Sequence, residues 1–553
     1  MSNLENFNNI YADLAESAYT GNRPNNFPPK SNKDTSQYFN FSKSKTTNIG
    51  TKEKPVYQTT QGGEKLPNNG IVYLQPDPTV HTVDVKTSLS IPNPNGGYHT
   101  ESYTTSTYQK GLLTDEKAGF NAYFLTDTST VNQETKKAYL AIRGSDAISV
   151  ENLNDWVYND GNFALNNAHI PQAKLATTAM KEKIAELSAQ APNVKLNITG
   201  HSLGTMVSAQ GAAQLIKDDP SAINRLGNIV LFDGPDVTQS LKNMGLSDQQ
   251  IRALGDKTTY YVNPLDIVSM LNRTAPLKEQ FGHVNIIVPL NFTTTFDKSS
   301  AHDFGEFQMG ANGFPLVASA SFHPEMLVAG HNLASLIDTT LSKLKGLVAV
   351  SVPTTLLLTA LSGGVTGLMA LGMTAAQAKE IYDEFDNSYK EIVKKAKKEA
   401  KKWDEQAIPK LQSQIQSASS SQKVVLRAEL LQTVAQDAVL SAEDYVTKIK
   451  STLSTSKEKV QNSISTGRES AFNIAHYLEF YEIEMLLSDF QMNNFWDESL
   501  EDDTNRAASK FQMNLEQFSE TLMSISQKIQ ETDKEGAAGF NDMLAKVQTN
   551  WGK

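Results

Sequence analysis

The chain has 553 residues, a length that allows roughly two to four domains, each able to bury its own core. Lys and Arg number 50 against 61 Asp and Glu, and the net charge of −11 argues against general nucleic-acid binding. Because the sequence has no cysteine, disulfides, thiolate catalysis and cysteine metal sites are excluded.

The first hundred residues are rich in Asn, Pro, Thr, Ser and Gly. This composition predicts loops and short edge strands rather than long helices. Residues 1–6 contain no basic segment followed by an apolar run, so no Sec-type signal peptide is predicted. Export of this protein would therefore need another route.

Strands and helices alternate in the pattern from residue 120 onward. Apolar strands are predicted at residues 120–125, 138–142, 194–198, 228–232, 259–262 and 284–288, and a helix at about 171–190. Such alternation implies a largely parallel sheet covered by helices on both faces. We therefore predict one α/β section over residues 1–345.

A serine stands on a predicted sharp turn, in the pattern Gly200-x-Ser202-x-Gly204. A strand precedes this pattern, and a run of small residues suited to a closely packed helix follows it. Strand, tight turn and helix form the context of the nucleophile elbow of α/β-hydrolases. Glycine is needed on both sides because a side chain would clash where the backbone is strained.

A serine nucleophile needs an acid and a base, which follow it along the chain as Asp or Glu and then His. Asp233 and Asp266 each come shortly after a predicted strand. We favour Asp266, because Pro264 suggests a turn that would present its carboxylate. The ordinary alternative for either residue is a turn or helix-capping aspartate.

Four histidines follow the serine before the helical tail: His283, His302, His323 and His331. His302 is preferred as the base, because it lies in a polar loop that could reach the serine and stay partly wet, and His331 is the reserve. His201 adjoins the nucleophile and its side chain is expected to diverge from it. The oxyanion donors are predicted to be the N–H of Leu203 and a donor from Ser145, after the strand at 138–142.

Four segments in this order resemble the class 3 lipases, a branch of the α/β-hydrolases. They are Ile-Arg-Gly-Ser at 142–145, Asn-Asp-Trp at 154–156, Gly-His-Ser-Leu-Gly at 200–204 and Asn-Pro-Leu-Asp-Ile-Val at 263–268. The segment from His302 to Phe307 is similar to the histidine segment of bacterial members. The resemblance covers about residues 1–345. It implies hydrolysis of triacylglycerol or phospholipid esters without a cofactor, and a lid at 146–165 over an acyl groove.

Residues 346–378 carry no charged side chain. The favoured interpretation is a set of apolar helices packed on the protein or on a partner, because Pro353, several glycines and many Ser and Thr lower the hydropathy. A membrane-inserting hairpin is the alternative, since the length would allow a span.

Residues 379–553 are dominated by Ala, Glu, Lys, Gln, Leu and Ser, which favours helix. Apolar residues recur at helical spacing, so this section is predicted to be an elongated all-α domain of long antiparallel helices. The basic run at 394–402 is interpreted as a solvated helix face, with attraction to anionic lipid as the alternative.

A lipase section followed by such helices resembles the type VII secretion-system lipase effectors of Gram-positive bacteria. Their C-terminal part is similar to an LXG targeting domain in reverse order. The resemblance implies export without a Sec signal and action at a membrane. It also implies small helical chaperones on residues 346–553, contact with the secretion machinery, and an immunity protein.

The sequence therefore predicts a secreted serine lipase of phospholipase A type, with lipid as substrate and with Ser202, Asp266 and His302 as its triad. No cofactor, metal or nucleic acid is expected. Two alternatives stay open. One is a membrane-inserting or partner-binding toxin in which the hydrolase section is a scaffold, and the other is a soluble esterase or acyltransferase.

Overall fold

A computed structural model describes residues 10–19, 26–30, 35–43, 45–48, 57–60, 66–92, 98–144, 170–297, 300–308, 314–347, 364–369 and 372–551. The chain divides into two compact units, Met1–Ala400 and Lys401–Lys553. The first is built on a mixed sheet with helices, and the described part of the second is helical. The predicted fold class, an α/β-hydrolase-like domain followed by an all-α domain, is confirmed.

The described residues of the first unit form thirteen strands. They are β1 (Gln37–Asn40), β2 (Lys45–Asn48), β3 (Tyr57–Thr60), β4 (Ile71–Leu74), β5 (His81–Pro92), β6 (Tyr98–Lys110), β7 (Thr114–Asp115), β8 (Phe120–Thr126), β9 (Ala138–Ile142), β10 (Leu196–His201), β11 (Leu226–Phe232), β12 (Thr258–Val262) and β13 (His283–Ile286). Eleven of these described strands make one sheet, while β2 and β3 pair with each other. The strands predicted from residue 120 onward all form, with ends shifted by at most three residues.

Only one half of the large sheet is parallel. Strands β9 to β13 lie side by side in chain order, each parallel to its neighbour. On the other side of β9, strands β8, β7, β6 and β5 follow in antiparallel order, and β4 and then β1 also attach to β8. The prediction of a largely parallel sheet was therefore wrong for the N-terminal half. Hairpins build that half, and they need no helical crossover.

Eight α-helices are described in this unit before residue 370, and several of them cover the two faces of the parallel half. They are α1 (Ile10–Ser17), α2 (Pro171–Gln190), α3 (Leu203–Asp218), α4 (Thr238–Asn243), α5 (Asp248–Gly255), α6 (Ile267–Met270), α7 (Pro324–Leu347) and α8 (Gly364–Met369). On β11, Val230 and Phe232 pack in one cluster with alanines of α1. Their neighbours Ile229 and Leu231 point to the opposite face and are also fully buried. The parallel strands are thus the middle layer of the unit.

Helix α9 (Ala375–Ser417) begins in the first unit and ends in the second. The second unit continues with α10 (Ser420–Ile474), α11 (Phe480–Leu486), α12 (Met492–Phe495) and α13 (Glu498–Trp551). Helices α10 and α13 run antiparallel, because Lys457 pairs with Glu501 at 2.8 Å while Ser526 bonds to the carbonyl of Ala428 at 2.8 Å. These are the long antiparallel helices that the composition predicts.

The uncharged section at 346–378 is only partly within the described residues, which include α8 and residues 372–378 of it. Residues 348–363, 370 and 371 lie outside them. In the described part of the chain, no helix has the length and hydropathy to cross a membrane. In the basic run, Lys394, Lys395, Lys398 and Lys402 are exposed to solvent.

Candidate active site

Ser202 occupies the turn between β10 and α3 with a strained backbone, at φ 57° and ψ −128°. A side chain other than glycine rarely adopts such a positive φ, so the surrounding structure must hold it. The Ser202 N–H donates to the carbonyl of Phe232 at 3.0 Å. A Cβ at Gly200 would lie 2.7 Å from the carbonyl oxygen of Gly204, and one at Gly204 would overlap the carbonyl of Ile142. The turn therefore closes only with glycine at both positions.

The end of β9 lies against this turn. A Cβ at Gly144 would stand 2.6 Å from the His201 carbonyl oxygen and 3.2 Å from Ser202 Cβ. Leu203 is the first residue of α3, where the N–H groups have no partner within the helix and the helix dipole favours negative charge. Ser145 follows Gly144 but lies outside the described residues, as do the predicted lid at 146–165 and the Asn-Asp-Trp segment at 154–156.

Asp266 follows β12 and caps the N-terminus of α6. Its Oδ1 accepts the N–H of Val268 at 3.1 Å and the hydroxyl of Thr295 at 3.0 Å. Its Oδ2 accepts the N–H of Ser269 at 2.8 Å and the Ser269 hydroxyl at 2.6 Å. The side chain is completely buried. These donors fix the carboxylate in one orientation.

His302 lies in a turn after β13 and meets Asp266 directly, with Nδ1 2.7 Å from Asp266 Oδ2. The expectation of a partly wet base was wrong, because His302 is only 7% exposed. Its Nε2 and the Oγ of Ser202 are both buried, and neither has a hydrogen-bond partner among the described residues. Both atoms are therefore available to a reacting group.

The other candidate histidines lie elsewhere. His331 is exposed on α7, and His283 is exposed at the start of β13. His323 is buried and pairs with Glu325 at 2.7 Å. Of the four candidates, His302 is the one that the structure brings to Asp266.

Burial and charge act in opposite directions on this pair. Burial alone would raise the pKa of Asp266, but the charge of His302 and the hydrogen bonds from His302 and Ser269 outweigh it and hold the pKa below its ordinary value. Burial would lower the pKa of His302, but the charge of Asp266 and the hydrogen bond to it raise that pKa above its ordinary value. The two side chains thus stabilise each other's charged form.

Asp233, the second candidate acid, is buried beside Asp266 with a positive φ of 48°. Its Oδ1 accepts the N–H of Asn263 at 2.8 Å and lies 3.0 Å from Ser269 Oγ. Burial and the charge of Asp266 raise the pKa of Asp233 to about 8. It is then mostly protonated at neutral pH, and its proton can go to Ser269 while the Ser269 proton goes to Asp266.

His201 lies beside His302 rather than away from the site. Its ring centroid is 4.8 Å from that of His302, and its Nδ1 is 2.7 Å from the hydroxyl of Tyr19 at the end of α1. His201, Asp233 and His302 each offer a ligand atom, and these atoms lie within 4.8 Å of one another. Two imidazoles and a carboxylate are ligands that Zn²⁺ accepts. A cation bound there would have to use Nε2 of His302, because Nδ1 of that ring is held by Asp266. The same Nε2 is the atom that could act as a base.

Sequence reasoning missed several side chains that contact this site, namely Tyr19, Ser269 and Thr295. Ser269 stands three residues after Asp266, the spacing at which a helix cap receives an N–H, so a capping pattern could have indicated it. Tyr19 lies near the N-terminus and Thr295 stands seven residues before His302, and no local pattern marks either of them.

Residues 139–273 match the model of the family described as Lipase (class 3). The matched segment contains Ser202, Asp233 and Asp266, and it ends before His302. Searches of the curated proteins and of the solved structures gave no match to this chain. The family match and the geometry together support a lipase-type ester hydrolase region followed by a helical region.

Proposed function

We propose that this chain, with its class 3 lipase region at 139–273, hydrolyses carboxylic ester bonds of lipids through Ser202, His302 and Asp266. The observation that carries the proposal is the 2.7 Å contact between His302 Nδ1 and the buried carboxylate of Asp266. That contact leaves His302 Nε2 as the atom that can accept a proton. A serine on a strained, glycine-flanked turn supplies the matching nucleophile.

The chemistry follows from these positions. Ser202 Oγ attacks the ester carbonyl carbon while His302 Nε2 takes its proton, and Asp266 stabilises the imidazolium that forms. The carbonyl oxygen becomes an oxyanion, for which the Leu203 N–H and Ser145 are the proposed donors. His302 then returns its proton to the departing alcohol, which leaves an acyl group on Ser202. Water, activated by His302, releases the fatty acid.

The proposed substrate class is phospholipid, cleaved as by a phospholipase A. Support comes from the resemblance to lipases whose substrates are triacylglycerols or phospholipids. The test uses phospholipids with two different acyl chains, offered as vesicles beside triacylglycerol emulsions, and identifies the released fatty acid by mass spectrometry. Release from phospholipid favours this substrate class, whereas release from triacylglycerol alone contradicts it.

Replacing the nucleophile tests the reaction itself. Ser202→Ala should lower hydrolysis by about three orders of magnitude or more, because the proton-accepting base is left without a nucleophile. Ser188→Ala is a matched control, since Ser188 lies exposed on α2 and, among the described residues, its hydroxyl bonds to its own helix at Ile184. The measurement is fatty acid release by both variants, with thermal unfolding to check the fold. Full activity of Ser202→Ala would refute the proposal.

We also propose that the helical region directs type VII export of a toxin-like effector that acts at a membrane. Small helical chaperones would bind residues 346–553, and an immunity protein would protect the producer. Support comes from the order of parts, a hydrolase region followed by the long antiparallel helices α10 and α13. Expression in a Gram-positive host with and without its type VII machinery tests this. Equal release into the medium from both strains would contradict it.

A further inference from the structure

We propose that Tyr389, on helix α9, is a positioning residue of the active site that holds Asp266 in place through Thr295 and Leu265. The inference rests on the proposed role of Asp266 as the acid of the triad. Tyr389 lies 123 positions after Asp266 (389 − 266) and beyond the segment that matches the lipase family. A helix of the C-terminal part of the chain would then complete the hydrolytic site.

The Tyr389 hydroxyl is the centre of a buried hydrogen-bond group. It donates to the carbonyl of Leu265, the residue just before Asp266. It accepts the N–H of Thr295 at 2.7 Å, and its oxygen lies 3.0 Å from Thr295 Oγ1. The Thr295 hydroxyl in turn donates to Asp266 Oδ1 at 3.0 Å and accepts the N–H of Ile267 at 2.9 Å.

These bonds agree with the number of protons available. Each hydroxyl carries one proton, so that of Tyr389 goes to Leu265 and that of Thr295 goes to Asp266. Burial raises the pKa of Tyr389, which keeps its proton in place. Leu265 and Ile267, the neighbours of Asp266 on both sides, are therefore held by the same pair of hydroxyls.

Packing alone does not require the Tyr389 hydroxyl. Ile381, Phe385, Tyr389 and Val393 form a buried stripe on α9, and the ring of Phe296 meets that of Tyr389 edge-on at 6.4 Å. A phenylalanine would fill the same space as the tyrosine ring. An unpaired hydroxyl is costly to bury. The Tyr389 hydroxyl is therefore best explained by the hydrogen bonds it makes with its three polar neighbours.

The test uses the full chain and four single variants. Tyr389→Phe and Thr295→Val each remove one hydroxyl, while Thr295→Ser keeps the hydroxyl that faces Asp266. Tyr382→Phe is the matched control, on the same helix two turns earlier and half-buried. The measurements are kcat and KM on a p-nitrophenyl ester, and the rate at which a fluorophosphonate labels Ser202.

We expect Tyr389→Phe and Thr295→Val to lower kcat and the labelling rate about tenfold, with KM within about twofold, because a misplaced acid weakens the base and leaves substrate binding unchanged. Thr295→Ser and Tyr382→Phe should match the wild type. The double variant Tyr389→Phe/Thr295→Val should be slower than wild type by clearly less than the product of the two single losses, because both hydroxyls hold the same carboxylate. A purely structural role would make the two losses multiply.

The outcomes separate this inference from the proposed function. If Ser202→Ala is inactive while Tyr389→Phe keeps the wild-type kcat, the inference is overturned and the proposed function stands. If Ser202→Ala is as active as the wild type, both fail. Losses that multiply in the double variant, or Thr295→Ser as slow as Thr295→Val, also overturn the inference. Assays run below the melting temperature of every variant, as measured by thermal unfolding.

Discussion

At the scale of single residues, the site depends on how a buried carboxylate stays ionised. Asp266 has no exposed surface, yet it receives hydrogen bonds from Val268, Ser269, Thr295 and His302. Such donors replace the water that burial removes. The neighbouring carboxyl, Asp233, has fewer donors and is the one that takes up a proton.

This arrangement predicts the acid limb of the pH profile. His302 must be neutral to accept the serine proton, and its pKa is raised by Asp266. Activity (kcat/KM) should therefore rise with pH through a midpoint above the ordinary histidine value of about 6.5. Asp266→Asn should move that midpoint down and lower kcat strongly, because the carboxylate that raises the pKa is gone. A midpoint below 6 in the wild type would contradict the assignment of His302.

The raised pKa of Asp233 predicts a pH-dependent cost in stability. Between about pH 4 and pH 8 the folded chain holds a proton on Asp233 that the unfolded chain has lost, so the free energy of unfolding falls as pH rises. Asp233→Asn removes this effect. The stability of the variant relative to the wild type should grow by up to about 1.4 kcal/mol per pH unit in this window.

Denaturant unfolding at pH 5 and pH 7 measures that difference. An unchanged difference between the two pH values would show that Asp233 ionises normally in the folded chain. Asp219 is the control position: its side chain lies at the surface, and Ser221 lowers its pKa, so it is ionised in both the folded and the unfolded chain at these two pH values and Asp219→Asn should give no pH trend.

Site residues that belong to a short sequence motif could be predicted, and site residues that belong to none could not. The pattern Gly200-x-Ser202-x-Gly204 and the strand before Asp266 lie within short stretches of sequence, and chain order then narrows the choice of histidine. Tyr389 has no such mark, because in sequence it is one member of an apolar helical stripe. Its hydroxyl meets Thr295 and Leu265 only once α9 packs against them, and the periodicity of the helix does not indicate those partners.

At the scale of elements, the elbow depends on close approach between β9 and α3. Gly204→Ala would push a Cβ into the carbonyl of Ile142, a backbone atom that cannot turn aside. We expect hydrolysis to fall at least about tenfold, because the turn that aims Ser202 must shift. Gly211→Ala is the comparison on the same helix, where the nearest atom is a side-chain carbon, Ala176 Cβ, at 3.0 Å.

Kinetics and thermal unfolding distinguish the two glycine variants. Gly211→Ala should lower the melting temperature while kcat stays within about twofold, since α3 can move slightly against α2. Equal kcat values for Gly204→Ala and Gly211→Ala would mean that the approach of β9 to the elbow has no part in hydrolysis.

The long hairpin of β5 and β6 belongs to the antiparallel half of the sheet, which the sequence analysis did not predict. Most residues of β5 and the described side chains of β6 are exposed, on both faces of the strands. Strand β5 does alternate apolar and polar residues, with Val83, Val85, Leu89 and Ile91 on one face, but the Asn-, Pro-, Thr-, Ser- and Gly-rich composition around it led to a prediction of loops and short edge strands. The parallel strands β9 to β12 are largely buried, and their ends were predicted to within three residues.

At the scale of the whole molecule, the two compact units should differ in what they contribute to hydrolysis. Ala435 is fully buried in α10, so Ala435→Asp places an unpaired charge in the helical unit and should destabilise it by several kcal/mol. Hydrolysis should stay within about twofold, because the residues proposed for catalysis lie in Met1–Ala400. Thr447→Asp, exposed on the same helix, is the control.

Circular dichroism and ester hydrolysis on the same samples give the readout for this pair. Helical content should fall in Ala435→Asp and not in Thr447→Asp. A loss of hydrolysis that parallels the loss of helix would show that the second unit supports the chemistry as a whole.

The position of Tyr389 in the chain also determines when it is made during translation. Synthesis proceeds from the N-terminus, and Tyr389 is made 87 residues after His302 (389 − 302). At a usual translation rate, this delay is on the order of 10 s. During that interval the nascent chain already carries its nucleophile, acid and base, while the hydroxyl that steadies the acid is still inside the ribosome or not yet made. A cell that produces this protein would thereby keep the unfinished enzyme slow beside its own lipids.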